Sequence, residues 1–385
     1  MSTANFEALA AKAANELLCA RRDSGYLPTL RVPSLAKGVV ALDTVFKICF
    51  ACLLASTGAA ALAATHRLAG KPGAVSRISI PGGRHGLRFD DVSYSVQLRR
   101  VIVPAAQTGA LVLIRPGSHS IKILAHVARA GTHGNRRTAG ATSADYGAGL
   151  LFAGDHGNES LVAVSPATGK VVSRVRLLSG SDYVRFVAPV REVWVTEPRA
   201  AQIQRFALSK DKPTVLRPVG VVSVPGGPES LVIDPARRVA YTNEWQNHTL
   251  ELTLDKPHIA ARWSNPCEGS RGLALAAQQR LLFVGCKEGT VAALDTTHGG
   301  KVVSTASVGA GVDIIAWNAR LQHLYAPGGV SETLSVLALT RTRRLRTLAT
   351  WPAAAHSHCV ATDGDHQAYV CDPAAGTLIV YRDRH

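Results

Sequence analysis

The side chains of this sequence that could do chemistry stand singly, about forty residues apart, and do not cluster in one motif. Seven such positions align with one another, and all but one carry an ionisable group: His85, Gly140, Tyr183, Glu229, Arg271, Asp313 and His358. Imidazole, carboxylate and guanidinium groups bind ions and polar molecules, but groups so distant in the chain act together only if the fold gathers them. The spacing therefore predicts a polar site built from repeated elements.

Polar residues after several predicted strands are expected to add to the same site. The main ones are Glu197, Glu244 and Asn247, and the full set comprises the loops 155–159, 243–248 and 287–288 with Asp372. Charges at such a site are costly unless a ligand or a partner satisfies them. We therefore expect the site to bind a small polar or anionic ligand, although the same charges could simply pair with one another around water.

A divalent cation such as calcium is a further possibility, in a metal-dependent lactonase or lyase. Its oxygen ligands and proton carrier would be Glu229, Asn243 or Asn247, Asp313 and His358. Arg271 in the same set argues against a cation. The sequence also has no Gly-rich phosphate loop with its lysine, no C-x-x-C-H, no G-x-S-x-G and no H-E-x-x-H, so it predicts binding and identifies no catalytic residue.

The elements that would position these residues are short β-strands that repeat. One type of strand, ending in a turn, occurs seven times: 101–104, 150–154, 193–197, 239–243, 281–285, 324–327 and 368–371. Other alternating strands precede and follow each copy, which gives four strands per unit. Seven four-stranded units predict an all-β, seven-bladed β-propeller.

The two ends of the repeat region fit a closed ring. The last unit stops after Tyr381 without a fourth strand, and an orphan strand at 75–80 precedes the first unit. Pairing the two removes an exposed sheet edge. The propeller is thus expected over residues 73–384, with the ring closed by the N-terminal strand.

Several of these segments resemble a known family. The segments Val239-Ala-Tyr-Thr-Asn243, 162–172 and Val308-Gly309 look like the YVTN-repeat, YncE-like β-propellers. The resemblance implies the fold over roughly residues 73–384. It implies no particular activity, because related propellers bind, scaffold or catalyse.

Four cysteines fall within the repeats. Cys359 and Cys371 lie on neighbouring strands of the last unit. Cys267 and Cys286 lie at the same face of an earlier unit. Two disulfide bridges, each within one blade, are therefore expected. Buried free thiols are the alternative, and a zinc site is less favoured because the pairs belong to different blades.

The N-terminal region suggests export. Residues 45–64 contain Lys47, an apolar run and an A-x-A site at 61–63, which is typical of a signal peptide, although a signal anchor remains open. Residues 1–44 would be either a cytosolic tail or the product of a wrongly assigned start. An accidental apolar patch in a cytosolic protein is the third alternative, and we expect a periplasmic or secreted protein.

The charge of the chain is strongly positive, because 43 Lys and Arg face 27 Asp and Glu, a formal net charge of +16. Basic residues concentrate in turns expected on the face opposite the polar site: Arg99-Arg100, Lys170, Arg237-Arg238, Arg280, Lys301, Arg320 and 341–346. Such a face suits an anionic partner, whether lipid headgroups, an envelope polymer or nucleic acid. The protein would then be a scaffold, and we expect a monomer.

Overall fold

The computed structural model describes residues 72–73, 75–128, 130, 140–209, 211 and 214–385. The segments 1–44 and 45–64 lie outside the described residues. Within the described part, strands β1 to β28 form seven four-stranded antiparallel sheets. The predicted all-β, seven-bladed propeller is confirmed.

The strands follow one another in regular groups of four. β1 is Val75–Ser79, and blade I contains β2 Ser93–Ser95, β3 Arg100–Pro104, β4 Leu111–Ile114 and β5 Ile121–Leu124. Blade II contains β6 Ala141–Gly147, β7 Leu150–Asp155, β8 Ser160–Val164 and β9 Val171–Arg176. Blade III contains β10 Val184–Val187, β11 Glu192–Glu197, β12 Gln202–Leu208 and β13 Leu216–Ser223. Blade IV contains β14 Glu229–Asp234, β15 Val239–Asn243, β16 His248–Thr253 and β17 Ile259–Ser264.

The remaining blades repeat the pattern. Blade V contains β18 Ser270–Ala276, β19 Leu281–Cys286, β20 Thr290–Asp295 and β21 Lys301–Ser307. Blade VI contains β22 Ala316–Asn318, β23 His323–Gly328, β24 Thr333–Leu339 and β25 Leu345–Pro352. Blade VII contains β26 Val360–Thr362, β27 Gln367–Asp372 and β28 Thr377–Arg382, with β1 as its outer strand. Short 3₁₀ turns occupy His156–Asn158, Ala188–Val190, Pro198–Ala200 and Ala277–Gln279.

The blades form a ring around a central channel. The first strand of every blade contacts the first strand of the next, from β2 and β6 through to β26 and β2. Residues at the start of these strands therefore converge at one end of the channel. The turns between first and second strands lie at the other end.

The core lies between blades, and a repeated position on the second strands shows why. The middle residue of each second strand is completely buried: Ile102, Phe152, Trp194, Tyr241, Phe283, Tyr325 and Tyr369. Phe152 stacks on Phe186 of the next blade at 5.8 Å between ring centroids, and Phe283 packs on Trp317 at 5.0 Å. Strands covered on both faces explain the near-continuous apolar runs in the sequence.

Strand β1 closes the ring. It pairs antiparallel with β28, with Val75 opposite Tyr381 and Ile78 opposite Leu378. Arg77 of β1 also forms an ion pair with Asp372 of β27. The predicted pairing of the two chain ends in one blade is confirmed.

The cysteines of the propeller form disulfides. Cys267 is joined to Cys286 with a Cα–Cα distance of 5.1 Å, and Cys359 is joined to Cys371 at 5.6 Å. These are the pairs expected from the strand order. Disulfides persist in oxidising, non-cytosolic surroundings. In the described part of the chain, no helix reaches the length and apolarity needed to cross a membrane.

Candidate functional site

A cavity of about 510 Å³ opens at the end of the channel where the first strands begin. Its walls are formed by Arg88, Asp90, Asp182, Tyr183, Glu229, Trp245, Arg271 and Asp313. The carboxylates come from four blades, because Asp90, Asp182 and Asp313 each lie shortly before a first strand and Glu229 begins one. We call this group of residues the acidic cavity.

Four of the predicted channel residues line the acidic cavity: Tyr183, Glu229, Arg271 and Asp313. His85 does not, because it is exposed and its Nε2 lies 3.3 Å from the Arg84 guanidinium. Asp90 occupies the expected place in blade I. At Gly140 the backbone approaches so closely that a Cβ would meet the Ala106 carbonyl oxygen, so this position shapes the wall and offers no side chain.

His358 lies just outside the lining and links neighbouring blades. Its Nδ1 lies 2.7 Å from the His356 carbonyl oxygen and its Nε2 lies 3.1 Å from that of Phe89. The electrostatic interaction with His358 counteracts the rise that burial causes in the pKa of Asp313.

The three loop residues predicted at the mouth lie outside the lining of the acidic cavity. Glu197 is buried and accepts hydrogen bonds from the Gln202 amide at 2.6 Å and the Leu178 N–H at 3.1 Å. Glu244 forms an ion pair with Arg262 at 2.7 Å. Asn247 is exposed. None of them belongs to the cavity lining.

The carboxylates of the acidic cavity hold their protons unusually tightly. Burial, together with the charge of Asp313, raises the pKa of both Asp90 and Glu229 to about 8. Burial and the charge of Glu229 raise the pKa of Asp182 well above its usual value. Arg88 and Arg271 pull in the other direction but do not cancel these effects. Near neutral pH the carboxyl groups of the cavity therefore keep protons that a bound cation would displace.

The wall deeper in the channel is held by an ion pair that the sequence did not reveal. The Arg185 guanidinium donates from Nη2 to Asp91 Oδ1 at 3.1 Å, and Ser143 Oγ donates to Asp91 Oδ2 at 2.6 Å. The Arg185 guanidinium also lies 5.2 Å from the centroid of the Tyr183 ring. This network positions the Tyr183 ring in the lining of the acidic cavity.

Sequence reasoning missed Arg88, Asp90 and Asp182 as lining residues, whereas Trp245 belongs to the loop 243–248 that was expected near the site. Asp182 is one residue from the predicted Tyr183, so a shift of register by one would have found it. Asp90 and Arg88 precede a first strand of only three residues, whose position the alignment of second strands did not determine. Trp245 lies in a loop, and its side chain reaches the cavity only through the tertiary fold.

The residues proposed for calcium do not come together as a calcium site. Glu229 and Asp313 line the cavity, but the Asn243 amide donates to the Arg271 carbonyl oxygen and its side-chain oxygen accepts from Thr249 Oγ1 at 2.7 Å. His358 contacts two carbonyl oxygens, and Asn247 is outside the lining. These residues do not fit calcium, and no metal-dependent step is derived from them.

Comparison with known proteins supports the propeller fold but does not identify a family. No protein-family model and no curated protein matches the sequence. A chain in the crystal structure of the mitotic checkpoint complex is 14% identical, with a TM-score of 0.65 over 81% of this chain and 94% of its own. A chain of hydrazine synthase from Kuenenia stuttgartiensis is 10% identical, with a TM-score of 0.64 over 80% and 97%.

U3-55K is a third solved structure with this likeness, at 8% identity and a TM-score of 0.64 over 81% of this chain and 100% of its own. The chain is a seven-bladed β-propeller. At such low identity, likeness to these propellers shows the shared architecture alone.

Proposed function

We propose that this protein is an exported, YncE-like propeller, periplasmic or secreted, that binds a small polar ligand carrying a positive charge in the acidic cavity. The observation that supports this most directly is the convergence of four carboxylates from four blades around one cavity of about 510 Å³. That volume is within the usual range for small-molecule sites. The disulfides are consistent with export.

The carboxyl groups of the cavity favour a cation over the anion expected from the sequence. When ionised, four carboxylates face the two guanidinium groups of Arg88 and Arg271, so a bound cation would stabilise their ionised form. An anion would instead add to the effects of burial and of the Asp313 charge, which already raise the pKa of Glu229 and Asp90. A cation would oppose these effects and release protons on binding.

Trp245 favours an organic cation. It is 43% exposed, lines the cavity and donates from Nε1 to Glu229 Oε2 at 2.8 Å. An indole face beside carboxylates is a good environment for an ammonium group, which is attracted by both. Arg271 and the Tyr183 hydroxyl remain to orient polar parts of the same ligand.

Isothermal titration calorimetry with tetramethylammonium, putrescine, acetate and calcium chloride tests the proposal. We expect the ammonium compounds to bind with measurable heat, acetate to give none, and Glu229→Gln to weaken ammonium binding about tenfold or more, as for loss of one charged contact. The heat should depend on the ionisation enthalpy of the buffer, because protons are released.

Glu332→Gln is the matched control, since Glu332 is exposed in the turn between β23 and β24 and lies outside the cavity. It should leave ammonium binding unchanged. Binding of acetate in preference to the ammonium compounds, or equal loss in both variants, would refute the cationic site.

A further inference from the structure

The turns between first and second strands carry arginine at one repeated position. The last turn residue is Arg99 in blade I, Arg191 in blade III, Arg238 in blade IV and Arg280 in blade V. All four are exposed, and all four have left-handed backbone, with φ of 52°, 53°, 55° and 54°. Glycine or asparagine is the residue that usually occupies such a position.

Arginine at these positions has no evident role in holding the fold. Arg238 forms an ion pair with Asp255. In contrast, Arg99, Arg191 and Arg280 have no carboxylate partner among the described residues. A strained position that repeatedly carries a charge without a partner indicates a requirement outside the folding of the chain.

The turns between third and fourth strands lie on the same face. Arg343 of blade VI shows this directly, because it forms an ion pair with Asp295 at 2.7 Å and donates to the Gln279 carbonyl oxygen in the first turn of blade V at 3.3 Å. The exposed Arg341 and Arg344 belong to one of these turns, and the exposed Lys301 begins β21 directly after another. Together with Arg99, Arg191, Arg238 and Arg280 they form what we call the arginine face, at the opposite end of the channel from the acidic cavity.

Apolar side chains lie at the centre of the arginine face. Val96, in the same turn as Arg99, is 77% exposed and lines a second cavity, of about 380 Å³. Tyr94 and Trp317 line this cavity as well. The phosphates of a nucleic acid strand or of a soluble acidic polymer contact arginine but give an exposed valine no apolar surroundings, whereas a lipid surface accommodates both it and the surrounding arginines.

We propose that the arginine face docks the protein on a membrane surface rich in anionic phospholipids. The positive charges come from several blades around the ring and so face a broad surface, not a line. The arginines would lie among the phosphate groups, with Val96 at the level of the upper acyl chains. The acidic cavity would then face away from the membrane, open to its ligand.

Vesicle co-sedimentation of the purified full chain tests this docking. The vesicles are pure phosphatidylcholine, or phosphatidylcholine with phosphatidylglycerol, and the apolar segment 48–64 contributes equally to both. We expect preferential binding to the phosphatidylglycerol vesicles, weakened steeply between low and high salt. The triple variant Arg99→Gly, Arg191→Gly and Arg280→Gly should lose about fivefold in affinity per residue, hence about 100-fold in total.

The glycine variant separates docking from folding. Because glycine suits left-handed backbone, it should fold with equal or higher melting temperature while losing the anionic preference. The corresponding triple lysine variant should keep most of the binding. A matched control, Arg176→Gln with Arg199→Gln and Lys287→Gln, removes as much charge from the side of the acidic cavity and should bind as the unchanged chain does.

Equal binding to the two vesicle types, or equal loss in the control and glycine variants, would overturn the proposal. Tighter binding to a single-stranded oligonucleotide than to the anionic vesicles at the same salt would also overturn it, in favour of nucleic acid. None of these outcomes depends on ammonium binding, so docking and the proposed ligand site can fail independently.

Discussion

The indole Nε1–H of Trp245 donates a 2.8 Å hydrogen bond to Glu229 Oε2, joining an exposed loop to the first residue of β14. This bond lowers the pKa of Glu229, against the larger effect of burial. It also holds the indole at the edge of the acidic cavity. The pair therefore sets both the charge and the shape of the candidate site.

Replacing Trp245 by phenylalanine should keep the aromatic face and remove the donor. We expect the pKa of Glu229 to rise further and ammonium binding at pH 7 to weaken by about threefold to tenfold, the usual range for the loss of one ordinary hydrogen bond. Replacement by alanine should weaken it more, because the ring is lost too. Calorimetric titration with tetramethylammonium measures both, and equal binding in the phenylalanine variant would show that the hydrogen bond is irrelevant.

The stability of the ligand-free protein should depend on Glu229 in a definite direction with pH. Folding raises the pKa of Glu229 from 4.5 to about 8, so its protonated form contributes stability that is complete at about pH 4 and is lost as the pH rises through 8. At pH 9 the free energy of unfolding of the Glu229→Gln variant should therefore exceed that of the unchanged chain by about 0.5–3 kcal/mol. At pH 4 the two free energies of unfolding should be similar. Urea unfolding at the two pH values measures the difference. Glu332→Gln should show no such divergence, and its appearance there would contradict the assignment.

A second buried carboxylate, that of Asp383, should give the stability of the protein the opposite dependence on pH. Asp383, just after β28, is buried and accepts from Tyr325 Oη at 2.7 Å and contacts His323 Nδ1 at 2.7 Å. Burial alone would raise the pKa of Asp383, but these bonds and the His385 N–H lower it. Its stabilising effect is thus present above the unfolded pKa and is lost as the pH falls.

Asp383→Asn should cost about 1.5–3 kcal/mol of unfolding free energy at pH 7, the range for hydrogen bonds to a charged group, and should flatten the loss of stability in acid. The comparison is Asp365→Asn, because Asp365 is an exposed partner of Arg320 and its loss should cost about 1 kcal/mol or less. Similar costs for the two variants in urea unfolding would mean that the buried network contributes little.

Closure of the ring should depend on the buried side of β1. Ile78 is 5% exposed and Val75 is 51% exposed on the same strand. We expect Ile78→Ala to lower the unfolding free energy by about 2–4 kcal/mol, as for other large apolar residues cut to alanine in a core, and Val75→Ala to have little effect. Comparable effects of both substitutions in chemical denaturation would indicate that β1 is not packed as the structure shows.

The two disulfides should each stabilise the propeller. The bridges close loops of 19 and 12 residues, for which the chain-entropy relation gives about 3 kcal/mol each. The double variant Cys267→Ala with Cys286→Ala should melt at a lower temperature than the unchanged chain. Peptide mapping without reductant should recover 267 linked to 286 and 359 linked to 371, and free thiols at these positions would contradict the pairing.

The sequence alone was sufficient for the architecture. Alternating strands at regular intervals can bury their apolar positions only by stacking on neighbours, so seven such units specify a ring, and the unpaired strand at the start can pair only with the incomplete last blade. The disulfide pairs followed from the same order, because strand neighbours are local in sequence. The same regular order of strands also predicted four residues of the acidic cavity: Tyr183, Glu229, Arg271 and Asp313.

Only the tertiary structure decided the character of the site. First strands can be as short as the three residues of β2, so its start could not be placed from the sequence, and an error of five residues put His85 in the place of Asp90. The pKa values of the acidic cavity depend on burial and on charges from other blades, which no local pattern encodes. Whether Asn243 and His358 face a ligand or a carbonyl oxygen depends on distances of a few ångströms between distant segments. Repetition in the sequence determines which segments lie next to one another. The burial of their side chains and the charges around them are set only when the ring has closed.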